Sequence, residues 1–193
     1  MMETHTRLLR KVVDRYVRFS EADWRYFESC FVYRELPKNY LLVAEGQVAR
    51  EMYFVLGGLL RLFYNKDGDH RTTFIFREGL FAGSYDSFLQ QKPGIQLLES
   101  LEPCQLLAIK REDWVEIHTR IPLMNVLTRM IAEERFLNAQ RILASFQLDS
   151  PEERYRKFLE EEADLLLRVP HHIIASYLGI TPVSLSRIRK RIQ

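Results

Sequence analysis

Apolar positions along the chain change their period twice, and each change marks a new kind of element. Leu8, Leu9, Val12, Val13, Tyr16 and Val17 recur at three- and four-residue steps, the mark of a helix with one buried face. Phe19-Ser20-Glu21-Ala22-Asp23-Trp24 then offers a serine N-cap with an acid three positions on, which predicts a second helix start. From Phe31 the period shortens. Runs rich in branched and aromatic residues (Phe31 to Leu36, Tyr40 to Ala44, Met52 to Leu56, Leu59 to Tyr64, His70 to Phe76) are separated by proline, glycine and asparagine turns. This spacing predicts an antiparallel barrel or sandwich, closed by Gln96 to Glu99 and Gln105 to Ile109. The intervening Gly83 to Leu89 predicts a short helix with a glycine before its N-terminus.

Helical period returns over 112–146. Pro122 fits a first turn, and from there to Phe146 neither proline nor glycine interrupts about 25 residues, a rod of roughly 37 Å. Leu123, Leu127, Met130 and Leu137 trace a near-heptad line, whereas Val126, Ile131, Phe136, Ile142 and Leu143 lie off it. One face can therefore pack on the barrel and the other on a second copy, with the heptad line as the dimer seam. Ser150-Pro151-Glu152-Glu153 is a strong helix start, and Tyr155, Phe158 and Leu159 supply that helix's apolar face. The expected class is α+β: a strand-rich unit with N-terminal helices over 1–112, a connecting helix over 113–147 and a helical module over 148–193.

Spacing within the last module predicts a helix-turn-helix over His171 to Arg191. Ile173, Ile174 and Leu178 form the buried stripe of a first helix, with Ala175 small enough for the second to approach. Gly179 falls where the turn needs a left-handed backbone. Thr181 caps the second helix and Pro182 takes its first position. Leu185, Ile188 and Ile192 face inward, so at ~100° per residue Val183, Ser186, Arg187 and Lys190 face outward. A methyl-bearing, hydroxylated and cationic ridge suits a DNA major groove. Arg187 reaches guanine edges and Val183 a thymine methyl, while Thr181, Ser184, Lys190 and Arg191 meet phosphates.

Charge placement agrees. The net charge is only +2, yet no acid follows Asp164, whereas Arg168, Arg187, Arg189, Lys190 and Arg191 do. Two lone cysteines, Cys30 and Cys104, make neither a disulfide framework nor a metal-binding pair, and no apolar run reaches the ~18 residues of a membrane span. The N-terminus lacks a secretory signal pattern, so the expected location is cytoplasmic, with no membrane partner.

Glu45-Gly46, Tyr53-Phe54-Val55-Leu56 with Gly58, and the terminal I-A-S-Y-L-G-I-T-P-V-S-L-S-R-I-R-K resemble the Crp/Fnr family of bacterial transcription regulators, from about Phe19 to the end. The terminal run looks like a subgroup of that family common in Bacteroidetes. The resemblance implies a cyclic-nucleotide-binding-type jelly-roll barrel, a dimerisation helix and a winged helix-turn-helix. It further implies a homodimer on palindromic double-stranded DNA, with RNA polymerase as a further partner. Effector-pocket candidates are Phe81, Gly83, Ser84, Tyr85 and Gln96. In cyclic-AMP-responsive members a glutamate holds the ribose and an arginine-serine pair the phosphate. Here Ser84 stands at the glutamate position, and Pro93-Gly94-Ile95-Gln96 offers no cation. A buried phosphate without a charge partner is costly, so no cofactor is expected and any effector is another small molecule. The 84–87 segment reads alternatively as a plain surface turn. At the reading positions Pro182 and Val183 replace the family's early arginine and glutamate, while Arg187 aligns with its late base-contacting arginine. The interval from Glu162 to His171 is short for a full wing hairpin.

Other classes fit less well. A cupin-type enzyme needs His-x-His plus a glutamate inside the barrel, and the barrel holds only His70. No nucleophile elbow, phosphate-cradling loop or His-Glu-x-x-His is present, so no catalytic residue and no metal ligand is assigned. His5, His70 and His118 read as exposed or structural histidines rather than haem ligands. The remaining alternative is a sensing or protein-interaction module whose terminal helices do not bind DNA.

Overall fold

The computed structural model describes residues 2–192, with side chains from Thr6 to Ile192. Two helices, α1 (Met2–Val13) and α2 (Glu21–Ser29), precede the strands. Ser20 caps α2 as its pattern predicts, its hydroxyl accepting from the Asp23 amide at 3.1 Å.

Eight strands follow: β1 (Phe31–Leu36), β2 (Leu41–Val43), β3 (Glu51–Gly57), β4 (Leu60–Lys66), β5 (Asp69–Phe76), β6 (Phe81–Ala82), β7 (Gln96–Ser100) and β8 (Cys104–Lys110). They pair into two antiparallel four-stranded sheets, ordered β1-β8-β3-β6 and β2-β7-β4-β5. The two-residue strand β6 is too short to carry a period and does not emerge from the sequence pattern. Between β6 and β7 lies the short helix α3 (Tyr85–Gln90). Phe54, Val55, Leu60, Leu98, Leu106 and Leu107 fill the core, and Phe27 and Trp24 join it from α2.

The expected helical stretch divides at Pro122 into α4 (Arg111–Arg120) and α5 (Leu123–Leu148). At 26 residues α5 is about 39 Å long. Its first half packs on the barrel through Met124 and Leu127, and its second half is largely exposed.

A separate core joins α6 (Pro151–Glu161), α7 (Leu165–Arg168), α8 (His171–Tyr177) and α9 (Pro182–Ile192). Ser150 and Glu153 form a reciprocal capping box at the start of α6. Tyr155, Phe158, Ile173, Ile174, Leu178, Leu185 and Ile188 are its buried centre, and Leu59 and Leu101 from the barrel close it on one side. The interval expected to be too short for a wing hairpin holds α7, and no strand follows β8 among the described residues.

Candidate functional site

Helix α9 begins as its residues dictate. The Thr181 hydroxyl accepts from the Ser184 amide at 3.1 Å, and Gly179 in the turn before it has φ +66°. An alanine Cβ there would be strained by the left-handed backbone and would meet the Phe146 ring, 2.3 Å from Cε1. Leu185 and Ile188 are buried against α8 and α6, which turns Val183, Ser186, Arg187 and Lys190 outward, all exposed. Arg187 and Lys190 have no ion-pair or hydrogen-bond partner among the described residues, so their charge is free. The other terminal cations are engaged. Arg168 binds Glu78 and Glu102 on the barrel, Arg189 approaches His171 Nε2 at 2.6 Å, and Arg191 pairs with Glu152. Arg168 therefore points into the barrel junction and not toward a polyanion, and Arg191 reaches a phosphate only by leaving Glu152.

The module is held against the barrel by hydrogen bonds that sequence reasoning missed. The Ser176 hydroxyl donates to the His70 carbonyl at 2.7 Å and accepts from the Thr72 amide at 2.9 Å. β5 is the edge strand of its sheet, so one hydroxyl satisfies two of its otherwise open backbone groups. Serine inside a helix carries no signal of such a role. Alongside it Arg77 pairs with Glu162 at 2.9 Å. Burial raises the Glu78 carboxyl, but bonds from Arg168 and from the backbone amides of Glu78 and Gly58 outweigh it and hold Glu78 below the usual range.

The effector-pocket candidates split into two groups. Ser84 is buried, which rules out the surface-turn reading. Its hydroxyl donates to Gln96 Oε1 at 3.0 Å, and Gln96 Nε2 donates to the Tyr64 hydroxyl at 3.1 Å. A Cβ on Gly94 would lie 3.0 Å from Ser87 Cβ and 3.5 Å from the Ser84 hydroxyl, so that loop is pressed onto α3. The two segments matched to ribose and phosphate contacts are thus joined to each other by neutral side chains. Gly83 abuts Met52, whose sulfur a Cβ would reach at 2.4 Å. Phe81 and Tyr85 instead line a cavity beneath α4 and α5.

The seam residues need correction. Leu127 is fully buried in the barrel core and cannot meet a second copy, because α5 turns that residue toward its own sheet. Met130 is half-buried, while Leu123 and Leu137 are exposed. The apolar surface left open lies further along, on Phe136, Leu137, Leu143 and Leu148, the last 81% exposed. Among the histidines, His118 has both ring nitrogens engaged, with the Trp114 carbonyl and Thr128, and His70 Nδ1 lies 3.3 Å from Arg61. The His5 side chain lies outside the described residues. Among those residues no group of three or more His, Cys, Asp or Glu is arranged to hold a metal, and no helix is long and apolar enough to cross a membrane.

Comparison with known proteins agrees with this frame. Residues 33–120 match the cyclic nucleotide-binding domain family. A cyclic AMP receptor protein of Thermus thermophilus is 26% identical over 165 residues, covering 83% of this chain and 76% of that protein. The c-di-GMP-responsive global regulator CLP of Xanthomonas campestris superposes with a TM-score of 0.71 at 18% identity, over 90% of this chain and 92% of that one. A putative Crp/Fnr-family transcriptional regulator from Eubacterium rectale gives 0.73 at 18% identity, over 91% and 84%. The class is therefore a cyclic nucleotide-binding domain followed by a long helix and a helical C-terminal module. Its architecture is the fold shared with that Crp/Fnr-family regulator, and its domain match lies in residues 33–120.

Proposed function

We propose that this protein is a sequence-specific, DNA-binding transcriptional regulator that works as a cytoplasmic homodimer and does not respond to cyclic AMP. The observation that carries the reading is the outer ridge of α9. Its inward residues are locked in a buried core, while Val183, Ser186, Arg187 and Lys190 project free of any partner. A rigid helix presenting unpaired cations and a methyl group is suited to a major groove. The N-terminus of α9, with Thr181, Pro182 and Ser184, faces a phosphate in that pose. The Thermus relative is called a cyclic AMP receptor protein, but here neutral Ser84 stands where the ribose would be held, and Pro93-Gly94-Ile95-Gln96, which has no cation, stands where a cyclic phosphate needs charge.

One module makes few phosphate contacts, and two copies are needed for useful affinity. The exposed stripe Phe136, Leu137, Leu143 and Leu148 supports pairing along α5, with Leu123 at its start. Paired recognition helices then lie about 34 Å apart, one DNA turn, on a palindromic site. RNA polymerase is a further partner if the output is activation.

In vitro selection from a random DNA pool tests the reading. The expected result is an inverted-repeat site whose binding weakens steeply with salt. Arg187→Ala should then cost about 1–3 kcal/mol at one base pair, and Lys190→Ala should weaken all sequences alike. No enrichment at low ionic strength would leave the module as a protein-interaction surface.

A further inference from the structure

Helix α1 turns Leu9, Val12 and Val13 into the barrel core and leaves Arg7, Lys11 and Arg15 on its outer side, all exposed. These three stand four residues apart, so they form one row with steps of about 6 Å along the axis. The Asp14 amide donates to the Arg10 carbonyl at 2.8 Å and the Val17 amide to that of Val13 at 3.0 Å, which carries the helical phase on to Arg15. From Arg7 to Arg18 five cations meet one acid, Asp14, while the whole chain has a net charge of only +2. Asp14 lies 4.0 Å from Arg10, and Arg10 also pairs with Glu21. Arg7, Lys11, Arg15 and Arg18 have no ion pair among the described residues. Like charges at this spacing repel and weaken a helix. The helix dipole favours Arg10 and Lys11 in the last turn, but not Arg7, a turn earlier, nor Arg18, beyond the end.

We propose that the outer face of α1 is a second nucleic-acid surface, a sequence-independent contact through Arg7, Lys11 and Arg15 to the phosphate backbone of duplex DNA flanking the site read by α9. This rests on the reading of α9 as a DNA contact. Regular cations without other features match a regular polyanion. A protein partner needs an apolar anchor, and no large hydrophobic side chain is exposed between Thr6 and Phe31 among the described residues. A lipid surface needs a face to insert, and the apolar face of α1 is already buried in the barrel. The helix is also tied to the C-terminal module. Val12 lies against Gly79, where a Cβ would stand 3.6 Å from its Cγ2, and Arg77 and Glu78 of the same loop pair with Glu162 and Arg168. The Tyr16 hydroxyl donates to Glu134 of α5 at 2.7 Å, which also occupies the nearest acid of that helix.

The test compares two duplexes bound by the full-length protein: the selected repeat alone, and the same repeat with about 20 random base pairs on each side, roughly two turns. The parent should bind the flanked duplex tighter by about tenfold or more at about 0.1 M salt. The triple variant Arg7→Gln, Lys11→Gln, Arg15→Gln should lose that gain, and its salt slope on flanked DNA should be shallower by about 2–3 per protomer. On the short duplex it should match the parent, with a melting temperature no lower, since repulsion within α1 is relieved. Arg7→Lys with Arg15→Lys keeps the charge and should keep the gain. Lys38→Gln, Lys92→Gln, Lys110→Gln removes the same charge from exposed positions elsewhere on the barrel and should also keep it. Equal binding of parent and α1 variant to flanked DNA would overturn the proposal. So would equal losses on both duplexes, or the same loss in the Lys38, Lys92 and Lys110 variant, which would make net charge the cause. Capture of the parent, but not the α1 variant, by vesicles with about 30% phosphatidylserine, with flanked DNA unaffected, would assign the row to lipid and overturn it too. A parent that binds the short duplex but gains nothing from flanks sinks this inference alone, whereas one that binds neither duplex sinks the reading of α9 with it.

Discussion

Gly179→Ala isolates the turn that aims helix α9. At φ +66° an alanine pays for the left-handed conformation, about 1–2 kcal/mol. Its Cβ would also stand 2.3 Å from Phe146 Cε1, so the ring must swing out. That ring is 45% exposed and can move, but it then leaves the Arg154 guanidinium, now 5.3 Å from its centroid. Such a contact is worth about 0.5–1 kcal/mol, which brings the total to roughly 1.5–3 kcal/mol. The cost should fall on the C-terminal module alone, and the molecule offers a way to see this. Trp24 and Trp114, the only tryptophans, both belong to the barrel cluster, whereas the terminal core contains none. In urea, the far-ultraviolet helix signal of the variant should begin to fall at lower denaturant than the tryptophan signal, which should stay near its parent midpoint. Gly179→Asn separates the two causes, because asparagine tolerates the left-handed backbone yet still brings a Cβ against Phe146. Coincident shifts of both probes would show one cooperative unit and refute the division into two cores. No shift in either would refute the strain argument.

Ser176→Ala should open two backbone groups on the β5 edge and weaken the module's docking by about 1–3 kcal/mol, read as faster amide exchange at Thr72. Because the folded Glu78 carboxyl is depressed, its stabilisation is present above the unfolded value near 4.5 and is lost as pH falls through the folded one. Acid titration should therefore loosen the module below about pH 4.5, and Arg168→Met should flatten that limb. Leu137→Glu with Leu148→Glu should convert a dimer to monomer in sedimentation while leaving the barrel's melting unchanged, since both side chains are exposed in the single chain. Excess cyclic AMP should leave the melting temperature unmoved, given the uncharged Ser84–Gln96 link.

Legibility followed the locality of the interactions. The cap at Ser20, the capping box at Ser150, the left-handed Gly179 and the Thr181 start of α9 are all set by residues within four positions of one another, so one-dimensional spacing contains them. The outward face of α9 was legible for the same reason, since helical phase alone separates Arg187 and Lys190 from Leu185 and Ile188. Leu127 shows where spacing stops helping. A helix with apolar residues on more than one face has a phase but no label saying which face meets its own barrel, and that choice is made by distant residues such as Met52 and Trp114. The same limit hid Ser176, whose value depends on β5 being an edge strand, and Arg168, which in sequence is one more cation of a basic C-terminal stretch until Glu78 and Glu102 are placed beside it. Both hidden contacts cross from the barrel to the terminal helices. Any molecule that shifts α5 relative to the barrel must strain or preserve these contacts, and it can change the pose of α9 only through the difference.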